Sequence, residues 1–467
     1  MALRFFNTMT GREEEFVPLN GNRVGMYTCG PTVYDFAHIG NYRTFVFQDL
    51  LRRFLKHRGY ALTHVMNITD VDDKIIRNSK AAGMSLADYT GKYLQAFLED
   101  IATLRIQRPE HLVRATEHIT EMVNLIRRLE EKGLTYRSDS SVYFRIAAFP
   151  EYGKLARVSL EGNIAGARVE VDEYEKEHPS DFAVWKSAKQ GEPSWDTAIG
   201  PGRPGWHIEC SAMAMKYLGE SFDIHTGGSD LVFPHHTNEI AQSEGATGHT
   251  FVRYWLHCEH LMVEGKKMSK SLGNFYTLRD LLAKGYAPDA IRYLLAAVPY
   301  RKQLNFTEEG LHQAQSSLER LRNFRLRLQT DRLPEGENDR LAEVLRKAVE
   351  DFEAALEDSL NTAAALAVVF DTVRALNIAA DGGDLRAGNA VAAEALLCRF
   401  DEVFAVLEPA TPATQDDLGP WVESQIQARA DARKRRDFAA ADRIRKELQD
   451  RGVVLEDTKD GVRWKKV

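Results

Sequence analysis

The pattern that most constrains this fold is a strand, a helix and a second strand near the N-terminus. Residues 22–29 form a strand-like run that ends in the turn signal Gly30-Pro31. Residues 42–57 place apolar side chains at helical spacing, and residues 61–68 are typical of another strand. Two parallel strands need such a crossover between them. We therefore predict an α/β domain built on a parallel sheet.

The rest of the chain divides where its periodicity changes. Residues 116–200 interrupt the α/β pattern with a helix and short strand-like runs, and the pattern resumes at Ile208. Beyond Thr307, a suitable N-cap before two glutamates, the spacing is almost continuously helical. We predict an α/β domain in two halves, an inserted segment, a linking segment, a helical bundle and a C-terminal unit, with the boundaries 1–115, 116–200, 201–250, 251–306, 307–408 and 409–467.

The composition excludes several classes of protein. The 467 residues are 44% hydrophobic and 28% charged, which argues against a mainly disordered chain. The net charge of −7 argues against a globally basic nucleic-acid coat, although it allows a local basic patch. Four cysteines are too few for a disulfide framework. The longest apolar stretch, 363–370, is shorter than a membrane helix, and no signal core opens the chain. We expect a cytoplasmic protein with no membrane partner.

Two segments have the residue types that bind a polyphosphate. Residues 29–41 lie where a strand ends and a helix begins, and free N–H groups at a helix N-terminus suit phosphate. Within them, Gly40 allows close approach and His38 can donate to a phosphoryl group. Lys267 and Lys270, three residues apart among serines and glycines, can close on a polyphosphate and neutralise its charge. Taken alone, the two segments also fit a turn with a surface histidine and a solvated basic loop.

Four residues are candidate metal ligands. His235 and Glu239 follow a proline that favours a helix start, and at i and i+4 they project from one helix face. Cys29 and Cys210 are candidate distant partners that would complete a Cys₂-His-Glu zinc site. His236 is expected to point away from this face, with a role in orientation or hydrogen bonding. The alternative is a structural helix that carries histidine and glutamate without a metal.

Two more segments suit nucleotide or nucleic-acid binding. Gly227 and Gly228 precede Asp230, so the backbone can hold a base while the carboxylate binds ribose hydroxyls. A glycine-rich turn is the alternative. Residues 428–451 contain nine basic and five acidic residues, and Phe438 among them can stack on an unpaired base. Here the alternative is a solvated helix face.

These segments, in this order, resemble the cysteinyl-tRNA synthetases, a family of class I aminoacyl-tRNA synthetases. The two class signatures correspond to His38-Ile-Gly-Asn41 and Lys267-Met-Ser-Lys-Ser271. The family resemblance spans essentially the whole chain, through the strings Tyr27-Thr-Cys-Gly-Pro-Thr-Val-Tyr-Asp35, Asn67-Ile-Thr-Asp-Val-Asp-Asp-Lys-Ile75, Pro204-Gly-Trp-His-Ile-Glu-Cys-Ser-Ala212, Gly227-Gly-Ser-Asp-Leu231 and Leu455-Glu-Asp457.

The resemblance implies a fold and a reaction. The fold is an α/β Rossmann-like catalytic domain with an inserted connective segment, followed by an all-α helical bundle and a small C-terminal anticodon-binding domain. The reaction activates L-cysteine with ATP to cysteinyl-adenylate and transfers the cysteinyl group to the 3′ end of tRNA(Cys). One Zn²⁺ per chain selects the substrate thiolate, Mg²⁺ accompanies ATP, and a monomer is expected.

The resemblance also implies residue roles by position. The implied zinc ligands are Cys29, Cys210, His235 and Glu239. The implied substrate-binding residues are Cys29, Trp206 and His235. The implied catalytic residues are His38, Asn41, Lys267 and Lys270, which bind ATP together with Gly40, Gly228 and Asp230. The implied tRNA contacts are Arg433, Asp442 and Asp457.

The sequence departs from the family pattern at a few positions, and two other functions remain open beside the one that the resemblance implies. Asn41 stands where the class signature often has a second histidine, so this side chain can donate a hydrogen bond to phosphate but carries no charge. Thr226 and Thr237 replace the family's commoner glycine and glutamate, and neither is a proposed ligand. One alternative is a cysteine ligase that acts on an amino sugar and lacks the tRNA-reading end. The other is a catalytically inactive zinc- or RNA-binding paralogue, in which decay of the signatures is expected.

Overall fold

The computed structural model describes residues 2–157, 176–187, 189–408, 418–435, 437–450, 453–458 and 461–466. The first part of the chain is a short antiparallel hairpin followed by alternating strands and helices. Its elements are β1 (Arg4–Asn7), β2 (Arg12–Glu15), β3 (Arg23–Thr28), α1 (Ile39–His57), β4 (Ala61–Ile68), α2 (Asp73–Ala81), α3 (Leu86–Thr103) and β5 (His111–Arg114).

Helix α1 begins three residues before the apolar periodicity predicts. His38 is its N-cap: the imidazole accepts a hydrogen bond from the backbone of Asn41, and the Asn41 side chain accepts one from the backbone of His38. This reciprocal arrangement satisfies two N–H groups that a helix N-terminus otherwise leaves unpaired. The first turn of α1 is therefore made by the signature residues themselves.

The inserted segment forms its own small antiparallel sheet, after which the α/β pattern resumes. The insertion contains α4 (Ile119–Glu131), β6 (Thr135–Ser138), β7 (Ser141–Phe144) and β8 (Phe182–Lys186). Strand β9 (Arg203–Pro204), three residues beyond the predicted end of the insertion at residue 200, completes its sheet in the order β6-β7-β8-β9. The next elements are α5 (Trp206–Leu218), β10 (Phe222–Gly228), α6 (Thr237–Thr247) and β11 (Val252–Cys258).

The central sheet has five strands in the order β11-β10-β3-β4-β5, and every neighbouring pair is parallel. In chain order this is 3-2-1-4-5, with the reversal between β3 and β10. Such a reversal opens a crevice at the carboxyl ends of the two strands, where ligands bind in sheets of this type. The predicted parallel α/β sheet is confirmed, and its switch point locates the candidate site.

A linking region follows the last strand of this sheet. It contains β12 (Leu261–Val263), β13 (Lys266–Lys267), α7 (Leu278–Ala283), α8 (Pro288–Ala297) and β14 (Leu304–Phe306). The strand order β13-β12-β14 makes a three-stranded sheet. One core cluster is continuous from α1 through α8 into the bundle, so the linking region is not a separate hydrophobic unit.

Four helices then form the bundle: α9 (Glu308–Thr330), α10 (Asp339–Glu357), α11 (Thr362–Gly382) and α12 (Ala387–Phe404). Thr307 caps α9 as predicted, since its side chain accepts a hydrogen bond from Gly310. Within the described ranges, α11 alone is long and apolar enough to cross a membrane. A helix in the core of a soluble protein meets the same criteria, and α11 packs against α8, α9, α10 and α12.

The C-terminal unit consists of a helix pair and a hairpin. Its elements are α13 (Leu418–Lys434), α14 (Phe438–Asp450), β15 (Val453–Thr458) and β16 (Gly461–Lys466). Val422, Leu448 and Leu455 form its small core. Of the basic run predicted from sequence, Arg436 and Arg451 lie outside the described residues.

Candidate active site

Four side chains from distant parts of the chain meet at the switch point of the sheet. The Cys29 and Cys210 thiols, an imidazole nitrogen of His235 and a carboxylate oxygen of Glu239 all lie within 4.8 Å of one another. All four residues are buried, and Glu239 is 0% exposed. Two thiols, one imidazole and one carboxylate are a donor set that suits a tetrahedral zinc ion. The candidate ligands named from sequence are therefore brought together.

The topology explains how these four residues meet. Cys29 directly follows β3, Cys210 lies in α5, and His235 lies in the turn before α6. Glu239 lies in the first turn of α6, with its Oε1 atom 3.1 Å from His235 Nε2. Cys29 and His235 follow the neighbouring strands β3 and β10, so they lie at one point of the sheet edge. Cys210 lies on α5, which packs against β3 and α6 and so reaches the same point.

The charges of the cluster depend on each other. Burial raises the pKa of Glu239, but the imidazoles of His225 and His235 outweigh it and lower this pKa to about 2. Burial also raises the pKa of Cys210, yet Cys29 and His235 lower it to about 6. Burial opposes the charged form of His235, while Glu239 and Cys210 raise its pKa to about 10. Two negative groups thus surround one protonated imidazole, and a divalent cation would take the place of that proton.

Further histidines surround the four candidate ligands, and sequence reasoning missed their role. His225 Nε2 lies 2.9 Å from Glu239 Oε2, and His207 Nδ1 lies 2.9 Å from His235 Nδ1. Contacts of this kind orient metal ligands and set their tautomers. The sequence did contain a signal, since these histidines lie on strand-like or signature segments that are expected to be buried. Their partners are 14 and 28 residues away along the chain, so a local pattern could not pair them.

The expectation that His236 points away from the cluster is wrong, whereas the expected hydrogen-bonding role agrees with its contacts. His236 Nε2 lies 3.3 Å from Cys29 Sγ, and its Nδ1 lies 2.8 Å from His257 Nε2. The reason is that α6 begins only at Thr237, so His235 and His236 lie in the preceding turn, which has an extended residue at Phe233. A straight helix from the proline onward would have turned His236 away. Cys29, His225, His236 and Glu239 form a second set of donors within 4.8 Å.

The first phosphate-binding signature lies at the N-terminus of α1. His38 Nδ1 accepts a hydrogen bond from the Asn41 backbone N–H, at 3.2 Å. An imidazole whose Nδ1 accepts carries its proton on Nε2, which is then free to donate. Burial lowers the pKa of His38, with a smaller opposing effect from Asp230, so the neutral form is favoured. His38 is thus a neutral donor at the N-terminus of α1, where the helix dipole favours an anion.

The second signature lies directly over the first. Lys267 is exposed in β13, and Lys270 begins the short turn that follows. The Met268 methyl group lies 3.3 Å from the point where a Cβ on Gly40 would stand. The Lys270 ammonium lies 2.8 Å from Asp35 Oδ2. Sequence reasoning did not single out Asp35, although this residue lies within the quoted signature string.

The remaining predicted pocket residues lie at the edges of this crevice. The Trp206 ring stacks on His235, with ring centroids 4.2 Å apart. Gly228 ends β10, and a Cβ there would stand 2.4 Å from Asp230 Oδ1, so a larger residue would displace the Asp230 side chain. Asp230 lies in the short helical turn after Gly228. The residues predicted to bind the amino acid and the nucleotide therefore lie near the switch point, where ligands bind in sheets of this type.

The three predicted tRNA contacts lie in the C-terminal unit. Arg433 is exposed near the end of α13, and Asp442 is exposed on α14. Asp457 lies in β15, and its side chain is outside the described part of the structure. Helix α14 packs against both α13 and β15, so the three positions belong to one small unit. Their contact with tRNA stays a prediction.

The five-stranded parallel sheet, with both candidate phosphate-binding signatures near its switch point, is the catalytic fold of a class I aminoacyl-tRNA synthetase. The structure is similar to that of Mycobacterium tuberculosis methionyl-tRNA synthetase in complex with methionyl-adenylate. The TM-score is 0.60 at 16% identity, over 82% of this chain and 88% of that one. The complex of Agrobacterium radiobacter K84 agnB2 LeuRS with tRNA gives a TM-score of 0.59 at 12% identity, over 85% and 87%. These likenesses support the fold.

Sequence comparison identifies the family within this class. The family model of the tRNA synthetases class I (C) catalytic domain matches residues 15–316. The DALR domain matches residues 351–408, and the cysteinyl-tRNA ligase anticodon binding domain matches residues 415–464. The cysteine–tRNA ligase of Solibacter usitatus is 61% identical over 466 residues, covering 100% of both chains. That of Koribacter versatilis is 53% identical over 494 residues, again covering 100% of both.

The chain therefore belongs to the cysteinyl-tRNA synthetase (cysteine–tRNA ligase) family, and it is a ligase that forms aminoacyl-tRNA. The predicted fold class is confirmed, from the α/β catalytic domain through the helical region to the anticodon-binding domain. The amino-sugar ligase and the inactive paralogue are not favoured, because relatives that match over the full length of both chains carry the ligase name.

Proposed function

We propose that this ligase selects cysteine with one zinc ion held by Cys29, Cys210, His235 and Glu239. The observation that supports this proposal is the cluster of these four buried donors beside the ATP signatures. The cluster fits a metal, because Glu239 Oε1 is buried without a well-directed hydrogen bond. When bound, zinc prefers a thiolate to a hydroxyl, which separates cysteine from serine better than shape alone.

The protein's own residues hold this site in place. His207 and His225 orient His235 and Glu239 through the 2.9 Å contacts described above. The Trp206 ring covers one face of His235 and forms a wall of the pocket. Burial of the four ligands excludes water, so their charges act at full strength on the substrate.

The two ATP signatures carry the activation step in this proposal. The substrate carboxylate attacks the α-phosphate of ATP, and pyrophosphate leaves. His38 donates from Nε2 to the phosphates at the N-terminus of α1, while Asn41 holds the His38 ring through the capping box. Lys267 and Lys270 neutralise the charge that develops on the leaving group, which magnesium accompanies. Gly40 allows the close approach of phosphate.

The remaining roles follow the same proposal. Gly228 and Asp230 hold the adenosine of ATP, and the cysteinyl group then passes to the 3′ end of tRNA(Cys). Arg433, Asp442 and Asp457 contact the anticodon. We propose a monomer that works in the cytoplasm, with the domain boundaries 1–115, 116–200, 201–250, 251–306, 307–408 and 409–467.

A competitive charging assay tests this function. Zinc-loaded protein is incubated with labelled cysteine, ATP and magnesium, together with a tRNA(Cys) transcript and a glucosaminyl-inositol acceptor. We expect label on the tRNA alone, and no charging with labelled serine. A tRNA(Cys) with an altered anticodon is the matched control and should be charged at least about tenfold less well, since each lost base contact costs about 1–3 kcal/mol. Label on the sugar, or equal charging of both tRNAs, would reject the proposal.

A further inference from the structure

The segment that follows the second ATP signature contacts the first signature. The Ile39 backbone N–H donates to the Tyr276 carbonyl at 3.0 Å, and residues 38 and 277 form a short antiparallel bridge. The His38 ring meets the Phe275 ring edge-on, with centroids 5.3 Å apart. The segment after the second signature is therefore fastened to the first turn of α1.

The signature loop is also braced from within. The Asn274 side-chain oxygen accepts a hydrogen bond from the Ser269 backbone at 2.8 Å, and the Asn274 amide donates to the Lys267 carbonyl at 3.2 Å. Ser269 in turn caps the short helical turn that starts at Lys270. These bonds fix the backbone around Lys270 and leave the position of its long side chain to be decided by contacts with neighbours.

The Lys270 side chain reaches back to the first signature. Its ammonium lies 2.8 Å from Asp35 Oδ2 and 5.0 Å from the centre of the Phe275 ring. The side chains of Lys270 and Asp35 are 68% and 38% exposed. Asp35 lies three residues before His38, so this carboxylate holds an ammonium at the mouth of the ATP crevice. The Asp35 carboxylate pairs with the same ammonium group that a phosphate of ATP would bind.

We propose that Asp35 is a positioning residue that holds Lys270 over the first signature before ATP binds and gives the ammonium up to the phosphates of ATP. ATP binding then includes the cost of breaking the Lys270–Asp35 pair. The carboxylate keeps the loop closed on α1 without ATP, at the expense of affinity for ATP. This inference rests on the proposed role of Lys270.

The Asp35→Asn variant tests the competition. It keeps the size of the side chain and removes its charge, so ATP no longer competes with a carboxylate for Lys270. We expect the KM for ATP in cysteine-dependent pyrophosphate exchange to fall about two- to fivefold, because exposed ion pairs are weak. The turnover number should change less than about twofold. The Asp35→Glu variant keeps the carboxylate and should behave as the parent protein does.

A second substitution links the effect to Lys270. In a Lys270→Ala background, Asp35→Asn should leave ATP affinity unchanged, as measured by equilibrium binding of α,β-methylene-ATP to the full-length protein. Glu343→Gln, which breaks an exposed pair with Arg346 in the bundle, is the matched control and should change nothing. An unchanged or raised KM for ATP in Asp35→Asn would overturn the inference, as would an equal shift in the Lys270→Ala background. Absence of exchange by the parent protein would instead reject the proposed function.

Discussion

Glu239 keeps its charge in the protein interior because its neighbours are arranged around it. The carboxylate is fully buried, and two imidazoles lie within 3.1 Å of its oxygens. An isolated carboxylate in that position would be neutral. The histidines that stabilise the buried carboxylate are themselves oriented by further contacts. A change at one ligand therefore affects the others.

Loss of one ligand is expected to release the metal. Cys29→Ala or His235→Ala removes one of four donors and leaves the other charges buried without compensation, so zinc affinity should fall at least about tenfold. The measurement is zinc content per chain by plasma mass spectrometry after dialysis against a weak chelator. Cys398→Ala, at an exposed position outside the cluster, is the control and should keep the parent stoichiometry. Full zinc retention in both ligand variants would refute the assignment.

At the scale of elements, α1 joins the two ATP signatures to the helices beyond them. Arg43 on α1 donates to the carbonyls of Val298 and Pro299, at 2.7 and 3.0 Å, just after α8 ends. Asp49, two turns further along α1, pairs with Arg292 on α8 at 2.5 Å, and neither side chain is exposed. Burial raises the pKa of Asp49, but Arg292 and Arg53 outweigh it and lower that pKa, so the pair is ionised. The α1–α8 contact is thus one of the contacts that join the catalytic domain to the helices beyond it; α1 also packs against α12.

Removing one partner of this buried pair should be costly. Arg292→Met leaves the Asp49 charge partly uncompensated, and we expect the free energy of unfolding to fall by about 3–5 kcal/mol. Chemical denaturation followed by circular dichroism measures the change. Arg346→Met, which removes an exposed pair on α10, is the matched control and should have a much smaller effect. Equal losses in the two variants would show that the buried pair has no special role.

At the scale of the molecule, the activation site and the tRNA-reading unit are separate parts of one chain. The bundle ends at α12, and the residues after it are fastened: Asp401 accepts hydrogen bonds from Val406 and Leu407, at 2.6 and 2.7 Å. Arg322 donates to the carbonyls of the same two residues. The described residues at this end of the bundle are therefore held by contacts with the bundle itself.

Deleting residues 409–467 should separate the two steps of the reaction. Cysteine-dependent pyrophosphate exchange should stay within about twofold of the full-length rate, because the donor cluster and both ATP signatures remain. The kcat/KM for tRNA(Cys) should fall at least about tenfold, because the contacts to the anticodon are lost. Parallel exchange and charging assays on one preparation check both statements. Equal charging by the shortened chain would contradict the anticodon assignment.

Local sequence was sufficient for the βαβ start and the helical bundle, because each depends on spacing or capping within a few residues. The roles of the two signatures in ATP binding stay predictions. Strand β4 falls at the predicted residues 61–68, and the capping role of Thr307 is also local. The start of α1 was missed by three residues, since a His–Asn capping box leaves no apolar signal. The four candidate ligands came from motif and resemblance, and their binding of zinc stays a prediction.

Only the tertiary structure decided which distant groups act on each other. The sequence by itself determined that Cys29, His235 and Glu239 are metal-ligand types at suitable positions. That His236 faces Cys29 depends on the turn before α6, and that Lys270 meets Asp35 depends on a loop that returns from 235 residues away. Periodicity reports which face of an element is buried, whereas contacts between elements are set by how strands order in the sheet and how loops leave it. The strand order reverses between β3 and β10, and this reversal, which periodicity does not show, creates the candidate site.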